Sequence, residues 1–97
     1  MTDAQLRGLL LDCLKLWAVR GTVAVRDDGL VIETVDGAFI ITRAPADLRP
    51  VRWFYQTPER AAAGRTARAA PSIVALLSAL RNAMAGAGGD RLRVGGG

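Results

Sequence analysis

The 97-residue sequence has no histidine, one cysteine and one lysine. Without histidine there is no imidazole to act as a general base, complete a nucleophile triad or ligate a metal. Cys13 alone can form neither an intramolecular disulfide nor a site built on several thiolates. Carboxylate chemistry would need acids gathered in a pocket, whereas Asp27, Asp28 and Asp36 stand beside glycines in turn-forming contexts. The expectation is a non-enzymatic protein with no cofactor and no metal.

Long apolar runs are also missing. The segment AAPSIVALLSAL, residues 69–80, is broken by Pro71 and two serines and falls short of the roughly 20 apolar residues of a membrane span. The N-terminal segment opens with Asp3 and carries Asp12 inside its apolar run, unlike a secretory signal. No membrane association and a cytoplasmic location are expected. With 51% hydrophobic and 23% charged residues, the chain has the composition of one folded domain.

The shortage of lysine makes the net charge of +4 an arginine charge, since all but Lys15 of the 13 basic residues are arginine. Guanidinium groups favour bidentate contacts to carboxylate or phosphate. The charge is uneven: residues 43–68 hold six basic and two acidic groups.

What is present reads as alternating helix and sheet. Leu6, Leu9, Leu10, Cys13, Leu14, Leu16 and Trp17 recur at three- and four-residue spacing, which predicts an amphipathic helix from Asp3 to Arg20, capped by Thr2 or Asp3 and stopped by Gly21. On its apolar face Cys13 is expected to be a small buried hydrophobe. Next, TVAVRDDGLVIETVDGAFIITR holds three β-branched runs separated by Asp28-Gly29 and Asp36-Gly37, the strongest short-range hairpin signal. Two-residue turns at those dipeptides pair Val25 with Ile32 and Ile32 with Ile41. One face then carries Val23, Val25, Leu30, Ile32, Thr34, Phe39 and Ile41, and the first helix should lie on it. The other face carries Thr22, Ala24, Arg26, Val31, Glu33, Val35, Ala38, Ile40 and Thr42.

After a loop with two prolines, VRWFYQT reads as a fourth strand with Trp53 and Tyr55 on the core side and Phe54 opposite. Thr57-Pro58-Glu59 starts a short helix that Gly64 ends. GRTARAAPS is a basic connector to a second amphipathic helix running from near Ser72 to about Ala85, with Ile73, Leu76, Leu77, Leu80 and Met84 as its stripe and Gly86 as its stop. The expected fold is α+β: N-terminal helix, four-stranded antiparallel β-meander, C-terminal helix. Residues 1–86 form the single domain and residues 87–97 a flexible glycine-rich tail.

Two features suggest partner binding. Arg49, Arg52, Arg60, Arg65 and Arg68, with Arg43, surround the fourth strand and the connector. Val31, Ile40 and Phe54 form an apolar stripe on the mixed sheet face, which something must cover: the second helix, another subunit or a partner. The sequence is therefore expected to be a small bacterial-type interaction module. It would be a homodimer that binds a protein partner through the exposed sheet face or the arginine-rich connector. The alternative is a nucleic-acid-binding module using the basic segment from Arg43 to Arg68.

Overall fold

The computed structural model describes residues 1–96, with side chains for residues 1–85. Helix α1 spans Asp3–Leu16 and opens with a capping box, in which the Gln5 amide donates to Thr2 Oγ1 at 3.1 Å while the Thr2 amide donates to Gln5 Oε1 at 2.9 Å. It ends earlier than Gly21 predicts. Trp17 is the C-cap, and Ala18 takes the left-handed conformation at φ 57. The Val19 amide then reaches back to the Leu14 carbonyl at 2.9 Å and the Ala18 amide to that of Lys15 at 3.1 Å, the paired bonds of a Schellman motif. Leu16, expected on the buried stripe, is 82% exposed, since it points away from the helix face of Leu6, Leu10 and Leu14.

Strands β1 (Gly21–Arg26), β2 (Gly29–Thr34) and β3 (Gly37–Arg43) follow as a meander. The pairing is shifted by two residues from the sequence-based register: Val25 pairs with Leu30, Val23 with Ile32, Ile32 with Phe39 and Leu30 with Ile41. The turns are Asp27-Asp28 and Val35-Asp36, and each glycine begins the next strand. Gly29 is there because β3 passes too close for a side chain, a Cβ at this position standing 1.9 Å from the Ile41 carbonyl oxygen. Gly37 adopts φ +127, a conformation that L side chains rarely take. Because the shift is an even number, both faces keep the expected residues.

The sheet has five strands rather than four. Strand β4 (Trp53–Gln56) pairs with β3, helix α2 (Pro58–Ala62) reverses the chain, and β5 (Arg68–Ala70) returns antiparallel to β4 within the segment read as a connector. Arg-Ala-Ala carries no β-propensity of its own. It pairs because Trp53, Phe54 and Tyr55 offer an open edge opposite it. Order along the sheet follows order along the chain, β1 to β5.

Helix α3 spans Ile73–Gly96. The Ser72 hydroxyl oxygen accepts from the Ala75 amide at its start, and the backbone continues through Gly86, where the sequence places the stop. The expected flexibility of residues 87–97 lies outside the residues whose side chains are described. Among the described residues no helix is long and apolar enough to cross a membrane.

Both long helices bury their apolar faces on the same side of the sheet. Leu6, Leu10 and Leu14 of α1 and Leu76, Leu80 and Met84 of α3 form one core with Val23, Leu30, Ile32, Phe39, Ile41, Trp53 and Ala70. Val25, expected in that core, lies at the edge and is 49% exposed. Trp53 is buried as an ordinary core residue.

The two backbone constraints predict opposite effects in urea unfolding. Ala18→Gly should stabilise the protein by about 1 kcal/mol, because glycine removes the left-handed penalty. Gly29→Ala should destabilise it by roughly 2 kcal/mol or more, because β3 has to move away. A neutral result at Gly29 would contradict the observed register.

Candidate functional site

A cleft of about 580 Å³ opens where β4 and β5 meet α2 and α3, lined by Tyr55, Thr57, Arg60, Arg65, Arg68 and Asn82. Its walls follow from local rules. Thr57 is the N-cap of α2, its Oγ1 accepting from the Arg60 amide at 3.2 Å, and Pro58 occupies the first turn. Gly64, at φ +70, closes the helix. The Arg65 amide donates to the Arg60 carbonyl at 2.9 Å and the Gly64 amide to that of Ala61 at 3.1 Å. This is the same motif that ends α1, here with the residue type that fits it.

Two side chains then hold the returning segment in place. The Arg60 guanidinium donates to the Thr66 carbonyl through Nη2 at 2.8 Å and Nε at 3.3 Å, and Gln56 Nε2 donates to the Arg65 carbonyl at 2.6 Å. With residues 64–67 fixed in this way, Arg68 comes opposite Tyr55 in the β4–β5 pairing. The side chains of Arg65 and Arg68 are exposed and make no hydrogen bond or ion pair with any described residue. The cleft thus presents two available guanidinium groups, a half-buried phenol and, from α3, the Asn82 carboxamide. Glu59 is the one carboxylate among its described lining residues. This balance favours an anionic group that can accept bidentate bonds.

The structure divides the arginines that the sequence groups together. Arg43 Nη1 is committed to the Asp3 carboxylate at 2.6 Å and Nη2 to the Asp27 carbonyl at 2.8 Å, tying the start of α1 to the sheet. Arg49 and Arg52 lie at the other end of β4, on a shallow pocket of about 280 Å³ with Ala44, Pro45 and Val51. Only Arg60, Arg65 and Arg68 of the expected set line the cleft, because α2 carries the chain away from Arg52 before β5 brings it back. Tyr55 could be placed by strand parity, but nothing in the sequence pointed to Asn82.

Val31, Ile40 and Phe54 do share a surface. They lie on the sheet face opposite the helices, where Ala24, Val31, Ile40 and Gln56 align across four strands. Phe54 lies in the adjacent row, beside Thr42 and Ala69. Val31 is buried but lies outside the helix-packed core, while Ile40 is 44% exposed. Among the described residues, the second helix packs on the opposite face.

Cys13 is half-buried on α1. Burial pushes its thiol above the usual range and the neighbouring Asp12 carboxylate adds to the effect, so the nucleophilic thiolate is disfavoured. Among the described residues no three histidine, cysteine or acidic side chains gather where a metal ion could be held. Compared with known proteins, the chain matches no family model, no curated protein and no solved structure.

The hydrogen bonds separate a structural arginine from two available ones. Arg60→Ala should cost about 1 kcal/mol in urea unfolding, because it frees the Thr66 carbonyl and loosens β5. Arg65→Ala and Arg68→Ala should each change stability by less than about 0.5 kcal/mol. Equal losses at all three would mean that Arg65 and Arg68 also hold the fold.

Proposed function

We propose that this protein is a non-catalytic protein-binding module that receives an acidic segment of its partner in the cleft between β5, α2 and α3. The observation that carries the reading is the pair Arg65 and Arg68, whose exposed side chains have no partner among the described residues, beside a third guanidinium held in place by Thr66. A carboxylate-bearing segment would find two bidentate donors there, with Tyr55 and Asn82 able to donate further bonds.

Nucleic acid fits less well. Single-strand binding combines a continuous basic groove with exposed aromatic platforms. Here Trp53 is buried, Phe54 faces the opposite side of the sheet, and Arg49 and Arg52 lie apart from the cleft. The module is also a homodimer, with the sheet face opposite the helices, around the exposed Ile40, serving self-association.

Fluorescence anisotropy tests the partner class directly. A labelled Glu/Asp-rich peptide of about ten residues should bind in the micromolar range, and the Arg65→Ala/Arg68→Ala double variant should weaken it about tenfold or more. Labelled single- and double-stranded oligonucleotides should show negligible affinity in about 0.15 M salt. Sub-micromolar oligonucleotide binding that is lost in the double variant would replace this reading with the nucleic-acid one.

A further inference from the structure

The uncovered sheet face has a charge pattern that is complementary to itself. Its central row is Ala24, Val31 and Ile40, continued on β4 by Gln56. On one side lies the row Thr22, Glu33 and Ala38, and on the other the row Arg26, Gly29, Thr42 and Phe54. Arg26 and Glu33 are the charged side chains of these rows. They stand on neighbouring strands, one row above and one row below the apolar centre.

We propose that two copies of the chain pack face to face about a two-fold axis along the Ala24–Val31–Ile40 row, with Arg26 of each copy paired to Glu33 of the other. This rests on the reading of the face as a self-association surface and specifies its geometry. Such an axis exchanges the flanking rows. Glu33 of one copy is placed over β2 of the other at the level of Gly29, one strand spacing, about 4.8 Å, from Arg26. Val31 meets Val31, Ile40 meets Ile40, and Phe54 comes down beside Ala38, a small residue. The strands of the two sheets then run nearly aligned, as in sandwiches with a spacing of about 10 Å.

The charges select this axis over the obvious alternative. A two-fold axis along β2 would set Glu33 directly on Glu33, a like-charge contact at the edge of an apolar interface. The same face on a second copy therefore offers what an unrelated apolar surface would not: an opposite charge for both Arg26 and Glu33.

Analytical ultracentrifugation of the full chain in about 0.15 M salt tests the proposal. The wild type should be a dimer at micromolar concentration. Arg26→Glu and Glu33→Arg should each raise the dissociation constant about tenfold or more, since each reverses two symmetric contacts. The double variant Arg26→Glu/Glu33→Arg should return it to near the wild-type value, which also shows that the variant chains fold. Ile40→Glu, at a position 44% exposed, serves as the apolar control and should give monomer with unchanged circular dichroism. If Ile40→Glu dissociates the dimer but the charge reversals do nothing, or the double variant does not recover, the Arg26–Glu33 geometry is wrong while self-association through this face stands. A wild-type monomer at about 100 µM, or a dimer indifferent to Ile40→Glu, overturns both.

Discussion

Leu6, Leu10 and Leu14 of α1 and Leu76, Leu80 and Met84 of α3 press on the same face of one antiparallel sheet, and the rest of the molecule depends on that contact. Two helices side by side occupy about 20 Å. Four strands span only about 14 Å and five about 19 Å, given the spacing between strands. Strand β5 thus supplies floor area for α3, and Ala70 joins the core there. The need to complete that floor explains why three residues with no intrinsic strand preference are held in the sheet. The same contact leaves the opposite face without cover from α1 or from the described side chains of α3.

The two short helical endings show how local chemistry yields to this packing. Helix α2 ends on Gly64 in the left-handed conformation that glycine accepts freely. Helix α1 ends in the same hydrogen-bond pattern on Ala18, which pays a conformational penalty. Ending at Leu16 places Val19 and Trp17 against the core and lets β1 begin at Gly21. Continuing the helix to Gly21 would have carried Trp17 and Val19 onward along the helix axis. The packing of α1 outweighs a mismatch of about 1 kcal/mol at one residue.

Much of this was legible in the sequence because it is local or depends on parity. The caps at Thr2, Thr57 and near Ser72 are short-range hydrogen bonds written in residue type. The division of Val23, Ile32, Phe39 and Ile41 from Val31 and Ile40 needs only the alternation of a strand. The register was missed by two residues because Asp-Gly is equally compatible with a turn and with a glycine that β3 approaches closely, and only the fold distinguishes them. Strand β5, the separation of Arg49 and Arg52 from the cleft, and the contribution of Asn82 depend on where α2 redirects the chain. That path is set by tertiary packing and leaves no local signal.

Both proposed binding surfaces follow from one fact: with α1 and α3 on one side of the sheet, the cleft forms where β4 and β5 meet α2 and α3, and neither helix packs its described side chains on the opposite face. Isotope-filtered methyl NOE spectroscopy, which separates contacts within a chain from those between chains, tests this most directly. Within one chain, the methyl groups of Leu76 and Leu80 should show contacts to core-face side chains such as the Trp53 indole, and none to Val31 or Ile40. Intrachain contacts from either leucine to Ile40 would contradict the account, since α3 would then cover the face described here as open.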